Sequence, residues 1–184
     1  PSRPTHNAAS TSFFSAVSLF PNVNAAVLQA LNVLTPFFTA LTPENLSSRF
    51  HNGLGVSFSL NSHGQILSSR INVASHPLSS IDQLLKLPSN SVNRAFDVFY
   101  HLLLSEGESH GAYLSLKSSP EEYDLLKKSG TYRLPEWVLF SDDYALAKDW
   151  SNSLKQCNIK GAALRGILST LSGILLLGNS DNST

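Results

Sequence analysis

Residues 54–73, LGVSFSLNSHGQILSSRINV, hold the clearest period-two pattern in the chain. Leu54, Val56, Phe58 and Leu60 alternate with Gly and Ser, so an extended backbone there has one apolar face and one small, polar face. The segment NSHG supplies turn chemistry, and Ile66 to Val73 is apolar and β-branched enough for a return strand. A β-hairpin is expected. Elsewhere the apolar residues recur at helical spacing and are cut into pieces by proline. The chain therefore reads as mainly α with a small β-hairpin element, an α+β fold in one domain.

Residues 1–12 show no periodicity and read as a flexible lead-in, with 181–184 as a tail and 13–180 as the folded unit. Phe13, Val17 and Phe20 mark one helix, which Pro21 separates from a second carrying Val23, Val27, Leu28, Leu31 and Leu34. Pro36 is expected to open a short helical piece, Phe37 to Leu41, that Pro43 closes. Ser79 or Ser80 is a candidate cap for a helix running through Leu87. Ser91 is expected to cap a longer helix, VNRAFDVFYHLLL, with Phe96, Phe99, Tyr100 and Leu103 on its core face. HGAYLSLKSS reads as a link. Pro120 with Glu121 and Glu122 marks a first helical turn, and Ser141 is the expected cap of SDDYALAKDWSNSLKQ. Gly161 precedes a last helix, AALRGILSTLSGILLLG.

The 184 residues are 42% apolar but only 14% charged, against about 25% in an average soluble domain. Ser, Asn and Thr must supply the polar surface. Thirteen basic and thirteen acidic residues give a net charge of +0 without a basic run, which argues against nucleic acid or an acidic membrane surface as partner. The single cysteine, Cys157, allows no internal disulfide and fits a reducing compartment. Under that reading the glycosylation-type triplets at Asn45 and Asn182 carry no meaning. The apolar stretch Gly166 to Leu177 is expected to be too short to span a bilayer.

Catalytic patterns are thin. The chain has no Gly-Lys pair, hence no phosphate-binding loop of the G-x-x-x-x-G-K type, and Gly53 and Gly55 lack the third glycine of a dinucleotide loop. His6, His51, His63, His76, His101 and His110 are scattered, with no i, i+4 pair, and one cysteine completes no metal set, so no metal site is expected. Cys157 reads as a structural thiol and His101 as a satisfied core histidine. Glu121-Glu122 and Asp142-Asp143 both stand at helix starts, where the dipole accounts for their charge. Asp142-Asp143 is adjacent rather than alternating and follows no strand, so it is not read as a glycosyltransferase metal pair. Catalytic residues are therefore expected to be none. One stretch stays open: Ser47, Ser48 and Arg49 offer two hydroxyls and a guanidinium, which by spacing alone suit a turn and a surface cation better than a nucleotide-sensing loop.

Four segments in order bear on that choice. NLSSRF resembles the first nucleotide switch of a myosin motor, N-x-N-S-S-R-F, and the hairpin that follows is similar to the motor's next hairpin. NRAFDVFYHLLLSEGE resembles the motor helix E-R-N-F-H-x-F-Y with its acidic loop, and the segment ending GILLLGN is similar to the motor's I-L-A-A-I-L-H-L-G-N. LSSRINVASHPLSSIDQLLKLPS and SGTYRLPEWVLFSDDYA resemble the truncated motor-like region, without a phosphate loop, that precedes the catalytic part of fungal class VII chitin synthases. The resemblance covers roughly residues 23–180.

The resemblance implies a role for each position and a departure at several. Ser48 falls at the Mg²⁺-binding serine, and Arg49 at the arginine that pairs with the second switch, whose place would lie beyond Thr184. The phosphate-contacting asparagine is replaced by Glu44, and the asparagine before the serines by Leu46. A carboxylate facing phosphates is repulsive by roughly a kcal/mol or more in a partly buried site. The histidine of L-H-L-G-N is absent from Leu176-Leu177-Gly178-Asn179. Ser47, Ser48 and Arg49 are thus expected to be vestigial, with no functional cofactor, no ATP binding and no hydrolysis. The implied role is a non-catalytic regulatory or interaction domain of a chitin synthase. Its expected partner is a protein: the rest of the enzyme, another copy or a trafficking factor. Actin and direct membrane insertion are not expected. The implied location is the cytoplasmic face, with the parent enzyme at plasma membrane, secretory vesicles, hyphal tips or septa. The alternative implied by the same match is a degenerate motor with residual nucleotide or actin binding.

Overall fold

A computed structural model describes residues 25–42, 53–74, 93–106, 111–127, 129–138 and 141–179. The expected helices around Phe13–Phe20 and before Leu87, and the 47–49 segment, lie outside the described residues. In chain order the elements are α1 (Ala25–Leu34), β1 (Gly53–Leu60), β2 (Ile66–Ala74), α2 (Asp97–Glu106), α3 (Gly111–Leu114), α4 (Asp124–Lys127), α5 (Asp143–Gln156) and α6 (Gly161–Gly178). Single 3-10 turns at Thr35–Phe37 and Pro120–Glu122 follow α1 and precede α4. The mainly helical α+β expectation holds.

The helical body is organised around α2. Helix α5 packs on α1 and α2, and α6 packs on α2, α3 and α4. Each helix buries the stripe that its spacing dictates. On α5, Ala147, Trp150 and Leu154 face inward, and on α6 Leu168, Leu171, Ser172 and Leu175 do so. Tyr100, Leu102, Tyr123, Leu126 and Leu175 are among the most deeply enclosed apolar side chains, with Trp150. The Trp150 indole N–H donates to the carbonyl of Val33 at 3.2 Å, which ties α5 to the end of α1. His101, buried, lies 6.2 Å from the Trp150 ring at a tilt of 44°. It is a core residue, as expected.

The last helix is longer than the apolar run suggested. It spans 18 residues, Gly161–Gly178, and by length and composition alone it meets the requirement for crossing a bilayer. This corrects the expectation drawn from residues 166–177. Its buried stripe packs into the helical body, but only 22% of the helix is buried. At its end Asn179 bridges to the short helix: its side-chain carbonyl accepts from the Asp124 N–H at 2.7 Å, and its amide donates to the Glu122 carbonyl at 3.0 Å. Asn179 of the motif is thus a structural latch.

Strands β1 and β2 pair antiparallel from Gly53–Ala74 to Leu60–Ile66, with a bulge at Ser59/Leu60. The turn is held by Asn61, whose side-chain oxygen accepts from the N–H groups of His63 and Gln65, both at 2.9 Å. Gly64 adopts φ +74°, the left-handed conformation that glycine tolerates. Leu54, Val56 and Phe58 share one face with Val73 and Ile71 across the ladder.

Two helix starts differ from expectation, and one contact explains both. Phe37 to Leu41 is not helical beyond its first turn, and Asn93 to Phe96 do not begin the next helix, which starts at Asp97. Instead Leu41 and Arg94 form an isolated antiparallel bridge, N–H to carbonyl in both directions at 3.0 and 2.8 Å. The Asp97 N–H adds a bond to the Thr39 carbonyl at 2.9 Å. These backbones are buried, so each gains more from pairing with the other than from a helical turn. The segment read as a link also contains one helical turn, α3, whose Leu114 carbonyl accepts from Ser172 Oγ at 2.5 Å.

Replacing Trp150 by Phe removes a buried donor from the Val33 carbonyl and leaves unfilled volume, which costs about 2–3 kcal/mol. Urea denaturation followed by circular dichroism should show that loss against the unaltered chain.

Candidate functional site

Ser47, Ser48 and Arg49 lie outside the described residues. Within them, two features stand apart from ordinary core packing: a buried polar centre and an apolar trough.

The polar centre is built on Arg94, whose side chain is fully enclosed. Nη1 meets Asp97 Oδ1 at 2.7 Å and Nη2 meets Asp143 Oδ1 at 2.7 Å. Asp143 Oδ2 accepts from the Leu134 N–H at 2.9 Å. The guanidinium carbon sits 3.9 Å over the Tyr100 ring, so its face is covered by π-density while its two terminal nitrogens are bonded. Burial holds the Tyr100 phenol above its ordinary pKa, opposed by the neighbouring Ser129 hydroxyl and the Arg94 charge. One cation thus joins the segment after α1, helix α2, the loop that reaches Leu134 and the first turn of α5.

This arrangement corrects two readings of the acidic pair. The cap of α5 is Asp142, not Ser141: its carboxylate accepts from the N–H groups of Tyr144 and Ala145 at 3.0 and 3.1 Å. Asp143 is not explained by the helix dipole alone, since it is buried and paired with Arg94. Glu121 and Glu122 do stand at a helical start, where Glu122 completes a capping box by accepting from the Ser119 N–H at 3.0 Å. Cys157 caps the end of α5, half-buried against the core, a place that suits a structural thiol. Arg94 itself escaped sequence reasoning. Its i, i+3 spacing to Asp97 was a visible signal, but Asp143 is 49 residues away.

The second feature is an apolar cavity of about 710 Å³ between the start of α2 and one face of α6. Phe37, Phe96, Phe99, Leu125, Ile167 and Ile174 are among its walls. No side chain lining it is charged. Ile174 is 44% exposed, and Leu177, at the end of the same helix, is 70% exposed. A surface of this kind can bind an apolar helix face or an apolar ligand.

The described residues thus hold a helical body with a small hairpin, a structural ionic centre and an open apolar trough. Comparison with known proteins gives it a family: residues 8–183 match the myosin head (motor domain), and the chain belongs to that family. Among named relatives it is similar to chitin synthase Vb of Fusarium oxysporum f. sp. lycopersici, with 38% identity over 159 residues, 86% of this chain and 9% of that protein. Chitin synthase csmB of Aspergillus niger is 39% identical over 161 residues, 87% of this chain and 9% of the relative. Chitin synthase 7 of Gibberella zeae is 34% identical over 177 residues, 95% of this chain and 10% of the relative. The chain spans about a tenth of the length of these curated relatives.

Removing Asp143 strands a buried guanidinium with half its partners, a loss in the range of about 3–5 kcal/mol. Asp143→Ala should lower the urea midpoint accordingly. An exposed acid on the same helix, Asp149→Ala, should change it little.

Proposed function

We propose that this chain is a non-catalytic, myosin motor-like regulatory and interaction domain of a chitin synthase. The parent enzyme would transfer N-acetylglucosamine from UDP-GlcNAc to growing chitin for the fungal cell wall. The observation that carries the proposal is the match to chitin synthases over 86–95% of the chain. On this reading the domain acts on a protein partner, which is the rest of the enzyme, another copy or a trafficking factor. It works at the cytoplasmic face of a membrane enzyme delivered by secretory vesicles to the plasma membrane at hyphal tips or septa.

The proposal includes loss of nucleotide binding. Support comes from Glu44 and Leu46, which stand where the resemblance puts two asparagines. Glu44 adds negative charge where phosphates would lie, and Leu46 withdraws hydrogen-bonding capacity. The buried cation Arg94 is already committed to two carboxylates. A second reading, a degenerate motor with residual nucleotide or actin binding, draws on the retained Ser47, Ser48 and Arg49.

Titration calorimetry with Mg·ATP separates the two. The proposed function predicts no saturable heat below about 1 mM nucleotide, and no cosedimentation with actin filaments. A micromolar dissociation constant that Arg49→Ala abolishes without changing the melting temperature would establish the second reading instead.

A further inference from the structure

Helix α6 carries both a hollow and side chains large enough to fill one. Ala163, Gly166 and Thr170 line the trough along this helix, and a Cβ at Gly166 would meet nothing within 4 Å. Toward the other end of the same helix stand Ile174, 44% exposed, and Leu177, 70% exposed. Large apolar side chains in water beside an apolar hollow mark a surface that association would cover.

Spacing decides the occupant. Ala163 and Leu177 lie seven residues to either side of Thr170, and Gly166 and Ile174 lie four residues to either side. With 3.6 residues per turn, all five fall within about 40° of one line along the helix, and the two pairs stand roughly 10 Å and 6 Å from Thr170. A second α6, laid antiparallel across a two-fold axis at Thr170, sets Leu177 of each copy over Ala163 of the other. It sets Ile174 of each over Gly166 of the other. Each large side chain then meets a small one, as ridges seat in grooves. A small ligand or an unrelated helix has no need of this symmetry, whereas self-pairing requires it.

The polar groups allow the contact. The Thr170 hydroxyl donates to the Gly166 carbonyl at 2.8 Å, so the residue on the axis brings no unmet hydroxyl to it. No side chain lining the trough is charged. Arg165, the one charged residue of α6, lies about 140° around the helix from Thr170.

We propose that the trough is the interface of a homodimer in which two α6 helices pair antiparallel about Thr170. This names another copy as the partner in the interaction reading above, and rests on that reading. One stripe of α6 then belongs to the core and a second to its twin.

Sedimentation equilibrium of the 184-residue chain at roughly 1–100 µM should show a reversible rise from 20.0 kDa to twice that mass. Gly166→Leu fills the hollow and replaces a glycine inside a helix. It should preserve or raise the urea midpoint while weakening the dimer about tenfold or more. Adding Ile174→Ala exchanges the large and small members of the pair and should restore most of the lost association. In a Cys157→Ser background, Thr170→Cys should form a disulfide between copies under mild oxidation, and Ser169→Cys, a turn-face away, should not. A chain that stays monomeric at the highest concentration overturns the proposal and assigns the trough to an apolar ligand or a different protein. A dimer indifferent to Gly166→Leu, or one that Ile174→Ala fails to rescue, overturns it as well. Failure of the non-catalytic reading is seen separately, as saturable Mg·ATP binding by calorimetry.

Discussion

The Arg94 guanidinium is the point on which the helical body depends. Its two aspartates come from α2 and α5, and its own backbone pairs with Leu41 after α1. A fully buried cation is tolerated only when its donors are met by anions, carbonyls or aromatic faces. Here two carboxylates take one terminal nitrogen each, and Tyr100 covers the face. The second oxygen of Asp143 is used by the Leu134 N–H, so the loop before α5 is held by the same group. Such a centre adds less net stability than apolar packing of equal volume would, but it punishes any alternative arrangement that separates its members. It fixes which helices meet.

Packing then completes what the ionic centre orients. Trp150, Leu154 and Ala147 project from α5 on the same side as Asp143, so seating the carboxylate seats the apolar stripe. Helix α6 closes the other side of α2 and is latched at its end by Asn179. The trough is what remains where α6 and the start of α2 diverge. The same helix therefore supplies the core with one stripe and the trough with another, and its composition has to satisfy both.

Much of this was legible from local pattern. The hairpin was readable because alternation and NSHG act over neighbouring residues, and the inward residues of α6 follow from i, i+3, i+4, i+7 spacing. What failed shares one cause. Residues 37–41 and 93–96 both look helical by periodicity, yet they carry the two sides of the Leu41–Arg94 bridge. Neither sequence reveals that its backbone partner lies 53 residues away. Asp143 was misjudged for the same reason, because its capping neighbour Asp142 behaves as local rules predict while Asp143 answers to a distant charge. The segment 47–49 lies outside the described residues, so its role rests on the resemblance and on Glu44 and Leu46.

The hairpin makes few contacts with any helix among the described residues, since its ladder is almost wholly internal. A two-stranded sheet is marginal when nothing covers its apolar face. Among the described residues the cohesion of the strands is thus only loosely coupled to that of the helices. Melting curves that report helix content would pass over a frayed hairpin. Among the described residues, sequence changes on its Leu54–Val56–Phe58 face bear on the ladder far more than on the helical body.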